Sequence, residues 1–161
     1  MTYEKCAPGL MLEKLVGTWK GLGNGSYPEI GEFEYRETIE FKNSMKGFLI
    51  YTQHTFSLQG SAMHQELGYL RVDEVNDTIE LVIVQPTGIA EVLVGKVMSD
   101  GEAYRFDLQS NAVVKTPSAK EVTRTGRYFH LSNDELSYKL YMEALGQEYQ
   151  LHLEASMVRS E

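Results

Sequence analysis

At 161 residues, with 42% hydrophobic and 24% charged side chains, the chain has the size and balance of one folded domain, 1–161, whose core is large enough to contain a cavity. A net charge of −8 without any Lys/Arg cluster argues against a nucleic-acid backbone as partner. No apolar run approaches the roughly 18 residues that a membrane-spanning helix needs, the N-terminal MTYEKCAPGL lacks the apolar centre of a signal peptide, and Cys6 is alone, so the expectation is a cytoplasmic protein without a disulfide or a membrane partner.

In chain order, Ala7 to Leu15 carries Leu10, Met11, Leu12 and Leu15 after Pro8, which predicts a short helix placed to lid one end of a barrel. Gly17, Gly21, Gly23 and Gly25 then interrupt a strand, marking bends or close backbone approach. No Lys-Ser/Thr follows them, so they are not a P-loop. Phe33, Tyr35, Ile39 and Phe41 alternate with polar residues, with Glu37 the exception, and the pair Glu37 and Glu40 reads as a solvated face. Further strands are predicted over Phe48–Phe56, Met63–Val72, Thr78–Gln85, Ile89–Val97, Tyr104–Leu108, Lys120–Leu131 and Leu136–Ala144, with the last over Tyr149–Arg159. Roughly ten short strands without a central helix read as an all-β fold, an up-and-down antiparallel barrel or a sandwich, and a closed barrel of that size encloses a small ligand.

The four histidines, His54, His64, His130 and His152, fall in four different predicted strands. No HExxH, CxxC or GxSxG motif is present, so neither a multi-residue zinc site nor a serine hydrolase is indicated. His152, at the centre of YQLHLEASMVR, is the candidate metal ligand, since imidazole is the commonest such group and a strand can aim it into a cavity. Strict alternation opposes this, because it puts His152 on the face of Gln150, Glu154 and Ser156, opposite Leu151, Leu153, Ala155 and Met157. Two arrangements would reconcile them: a bulge beside Gly146 that shifts the register, or a cavity that is partly polar and open at that end.

Gly17-Thr18-Trp19-Lys20-Gly21-Leu22-Gly23 followed by Tyr27-Pro28 resembles the GxWxGxG signature of the nitrobindin family. The likeness continues through Tyr51-Thr52-Gln53, Met63-His64-Gln65-Glu66, Gly68-Tyr69-Leu70-Arg71, Gln85-Pro86-Thr87-Gly88, Ala119-Lys120-Glu121-Val122 and His152-Leu153, in order along almost the whole chain. Glu29 after Tyr-Pro, and Leu151 before the histidine, depart from the family's usual residues.

The resemblance implies a ten-stranded antiparallel barrel of the fatty-acid-binding type with a short N-terminal helix. It would hold heme b, with ferric iron on a single histidine that falls on His152. It further implies nitric oxide binding and isomerisation of peroxynitrite to nitrate, with His152 as the catalytic residue. Met63 and His64 would lie near the heme by their match to the family's HxE block, Lys120 and Arg124 are candidates to meet its propionates, and Met142, inward by alternation, fits pocket wall or core. The expected partners are small molecules, a homodimer being compatible with the reading. The rival reading is a non-enzymatic carrier of a fatty acid or other apolar ligand; a filled barrel without a ligand is a third.

Overall fold

A computed structural model describes residues 2–160. After a two-residue strand β1 (Glu4–Lys5) and helix α1 (Gly9–Leu15) come β2 (Gly17–Tyr27), β3 (Gly31–Asn43), β4 (Leu49–Phe56), β5 (Ala62–Asp73) and β6 (Thr78–Val84). The chain continues through β7 (Ile89–Ser99), β8 (Ala103–Lys115), β9 (Val122–Ser132), β10 (Glu135–Ala144) and β11 (Gln150–Ser160). Each of β2 to β11 pairs antiparallel with the next, and β11 pairs back onto β2, which closes a ten-stranded up-and-down barrel. Closure leaves no long free edge, and the alternation read from the sequence becomes an inside and an outside. β1, which the sequence reading did not anticipate, pairs with Met98 and Ser99 of β7. Among the described residues no helix is long and apolar enough to cross a membrane.

Helix α1 seals one end by burying Met11, Leu12 and Leu15. Arg159, at the end of β11, donates to the carbonyls of Lys14 (2.7 Å) and Val16 (2.6 Å) and lies over the Trp19 ring at 4.3 Å. Carbonyls at a helix C-terminus lack intrahelical partners, so this guanidinium fastens the lid to the barrel. Trp19 donates its indole N–H to Leu15 at 2.8 Å from within the core. Ile39, Phe41, Leu81, Phe106 and Phe129 fill that half of the barrel. The other half, ringed by the turns after β2, β4, β6, β8 and β10, contains a cavity.

The glycines of β2 act through close approach, as their density suggested. A Cβ on Gly25 would collide with the Phe33 ring and with Leu153, so only glycine lets those two side chains lie across this strand at the cavity wall.

Candidate ligand cavity

The cavity has a volume of about 450 Å³, within the usual range for small-molecule sites. Its walls are mainly apolar, formed by residues such as Ile30, Phe33, Ile89, Val122, Leu140 and Leu153.

His152 lines it because the register of β11 shifts there. Leu140 of β10 pairs with Leu153, and the next residue, Tyr141, pairs with Leu151, so His152 has no partner. It is the extra residue of a β-bulge, which lets the consecutive side chains His152 and Leu153 both face inward. The side chain thus faces the cavity against the strand's alternation through a register shift, at His152 itself rather than beside Gly146.

The ring is oriented from several sides. Its Nδ1–H donates to the backbone carbonyl of Ser26 at 3.0 Å, and a carbonyl can only accept, so the proton is on Nδ1 and Nε2 carries the lone pair. Among the described residues Nε2 has no hydrogen-bond partner. Tyr27 meets the imidazole edge-on at 5.2 Å and Phe33 at 6.3 Å. Tyr27 is itself pinned, its hydroxyl accepting from the Ala144 N–H (2.9 Å) and donating to the Ala144 carbonyl (3.1 Å). Burial lowers the His152 pKa from its ordinary 6.5, and the nearby His64 adds to this against the opposing Ser26 bond. The ring is therefore neutral and ready to bind a metal at neutral pH.

The inner end of the cavity is a buried polar layer. Arg127 of β9 donates to Glu66 of β5 through both terminal nitrogens (2.6 and 2.9 Å) and to Glu91 of β7 at 2.8 Å. Gln85 donates to Glu66 at 3.0 Å and to Glu91 at 2.7 Å, Tyr51 donates to Glu66 at 3.0 Å, and Thr125 donates to Glu91. Burial works against ionising Glu66, but the Arg127 charge and the bonds from His64 and Arg127 outweigh it and hold this carboxyl well below the ordinary range. Beside them Glu37 accepts from Gln53 (2.8 Å) and Tyr138 (2.6 Å), and Tyr138 shares a 2.9 Å bond with Tyr35. Burial pushes the Glu37 pKa up to about 7. Glu37 is only 2% exposed, so the solvated-face reading of this residue is corrected: it points into the barrel with Tyr35, Ile39 and Phe41.

Of the side chains singled out in the sequence, Met63, His64, Met142 and His152 share the cavity wall. His64 Nε2 is 3.4 Å from Glu66. Lys120 and Arg124 are not on the wall. Lys120 is exposed two residues before Val122, and Arg124 lies over the Tyr149 ring at 4.0 Å and donates to Gln109 at 3.4 Å. Sequence reasoning missed Glu66, Glu91, Arg127, Gln53 and Gln85, although each shares strand parity with residues that are buried or line the cavity.

Among the described residues no group of three or more His, Cys, Asp or Glu could hold a bare metal ion. A single unprotonated Nε2 on a mainly apolar cavity fits a metal that arrives inside an organic macrocycle, needing one bond from the protein.

Comparison with known proteins agrees with this chemistry. Peroxynitrite isomerase 2 of Mycobacterium marinum is 43% identical over 149 residues, covering 92% of each chain. Peroxynitrite isomerase 1 of Mycobacterium tuberculosis H37Rv is 42% identical over 158 residues, 95% of this chain and 96% of that one. The crystal structure of Rv2717c from M. tuberculosis superposes with a TM-score of 0.90 at 38% identity, covering 98% of this chain and all of the other. Matched over residues 10–159, the chain belongs to the family of THAP4-like, heme-binding β-barrel domains.

Proposed function

We propose that the protein binds heme b through His152 and isomerises peroxynitrite to nitrate. The observation that carries this reading is the bulged His152, its Nδ1–H held by Ser26 and its Nε2 left as a free lone pair on an apolar cavity. The names of its relatives support the activity. When bound, heme supplies a Lewis-acidic ferric centre with one position open to a small oxyanion or to nitric oxide.

The chain's own part is to hold and tune that centre. His152 donates through Nε2, and the Ser26 bond fixes the ring and raises its basicity. The apolar walls exclude water and competing ligands, while Met63, His64 and Met142 shape the space around the macrocycle. Lys120, exposed near the rim, remains the candidate cation for a carboxylate at the mouth. Arg124, the second candidate, lies over the Tyr149 ring and would have to leave it to meet such a carboxylate. Peroxynitrite and nitrate are isomers, so the conversion needs no external electrons.

The test is a visible-absorption titration with hemin, comparing the native chain with His152→Ala. Saturable one-to-one binding with a five-coordinate ferric spectrum, lost in the variant, followed by peroxynitrite decay into stoichiometric nitrate, is the expected result. An unchanged spectrum and affinity in His152→Ala would show that His152 is not the ligand.

A further inference from the structure

We propose that the Glu66–Arg127–Glu91 layer makes the inner end of the cavity selective by charge, admitting uncharged apolar or hydroxyl tips and turning carboxylates out to the mouth. This inference rests on the cavity alone and does not depend on heme.

Among the described residues Arg127 is the one arginine or lysine on the wall, and both of its terminal nitrogens are engaged, with Glu66 at 2.6 and 2.9 Å and with Glu91 at 2.8 Å. Two carboxylates against one guanidinium leave the layer with a formal charge of −1, and the three residues are only 1–3% exposed. An incoming carboxylate would meet a guanidinium already outnumbered by two carboxylates and would approach like charges in a poorly screened interior. Three of the five Arg127 N–H donors are used in the bonds to Glu66 and Glu91; of the two that remain, Nε–H is fully buried, and the second N–H of Nη1 belongs to a guanidinium whose charge two carboxylates already outweigh. Stability alone is a weak reason for such a layer, because well-packed apolar residues serve as well or better than a buried ion triad. Its position at the boundary between the filled core and the cavity points to selection.

Glu37 makes the selection depend on pH. It accepts from Gln53, which sits opposite Glu66 in the β4–β5 ladder, faces Tyr138 and Tyr35, and feels Glu66 opposing and Arg127 favouring its ionisation; His64 lies against Glu66 at 3.4 Å. As pH rises through about 7 it ionises, and the inner end gains a second negative charge.

Two ligands of equal length isolate the inner tip: ω-hydroxydecanoate, which can leave its carboxylate at the mouth, and decanedioate, which must bring one inward. Calorimetric titration of the full chain free of heme should show the hydroxy acid binding at least about tenfold more tightly, with the gap wider at about pH 8 than at about pH 6. Glu91→Gln removes one charge and releases an Arg127 N–H, so it should close most of the gap; Glu37→Gln should remove its pH dependence and serves if Glu91→Gln does not fold. Equal affinities in the native chain, no binding of either ligand, or a gap that persists unchanged in the folded variants would each overturn the proposal.

Discussion

His152 donates to the Ser26 carbonyl at 3.0 Å just past Leu153–Gly25, the last pair of the β11–β2 ladder. A side chain thus takes over where backbone pairing stops, satisfying a carbonyl that the bulge would otherwise leave open. His152→Ala should therefore cost only about 1 kcal/mol of stability, the value of one hydrogen bond, while removing heme binding. Urea unfolding of the two proteins checks the first part, and a loss of several kcal/mol would show that the bulge depends on the ring.

The same ring sets a pH limit on binding. Its pKa is lowered from 6.5, chiefly by burial, so the neutral form persists to more acidic pH than in an exposed histidine. Hemin affinity should stay level as pH falls through 6.5 and decline only below it, since a proton and a metal compete for Nε2. Affinity that halves already at pH 6.5 would mean the imidazole titrates as though in water.

Glu37 should produce a stability slope of its own. Its folded pKa of about 7 exceeds the ordinary 4.5, so between these values the unfolded chain loses a proton that the folded chain keeps. Folding stability from this group falls as pH rises across that window, by roughly 3 kcal/mol in total, and is level above it. Glu37→Gln should flatten the slope, leaving the variant more stable than the native chain at pH 8 relative to their difference at pH 5. Denaturant unfolding at both pH values would refute this if the two curves run parallel.

The barrel was legible because period-two alternation survives in most strands, and closure turns that alternation into inside and outside. The inward polar layer was legible in principle by the same parity: Glu91 falls between Ile89 and Leu93, and Arg127 shares its face with Phe129 and Leu131. It was missed because charge at such positions normally signals a solvated face, and the partners lie on strands far apart in sequence, 61 residues for Arg127 and Glu66. The opposite failure occurs on β5 and β6, where Leu67, Tyr69, Val82 and Val84 are exposed although apolar. Residue type and the family resemblance single out His152, but its inward aim was legible only as one of two ways around the alternation. A bulge has no signature in local composition, and without one the parity of β11 sends the ring outward.

Arg159 should prove to be the fastening of the lid. Arg159→Ala leaves the Lys14 and Val16 carbonyls without their partner and uncovers Trp19. The expected cost is about 1–2 kcal/mol, with amide hydrogen exchange rising in Gly9–Leu15 before it rises in the strands. Uniformly faster exchange over the whole barrel would instead place Arg159 in the global unfolding unit.

Arg127→Met tests the buried layer as a folding element. Removing the guanidinium leaves Glu66 and Glu91 facing each other without a cation, which should cost roughly 3–5 kcal/mol at neutral pH. In the native chain Glu66 has a depressed pKa, so its contribution is present above the ordinary 4.5 and is lost as pH falls below it. In the variant the sign reverses: burial, no longer offset by the guanidinium, and the facing Glu91 disfavour the charged form of Glu66, so acidification relieves the strain. The stability difference between native and variant chains should therefore shrink as pH drops from 7 to 5. Urea midpoints across that range decide the matter. A difference independent of pH would mean that the loss comes from packing around the arginine stem and not from unpaired charge.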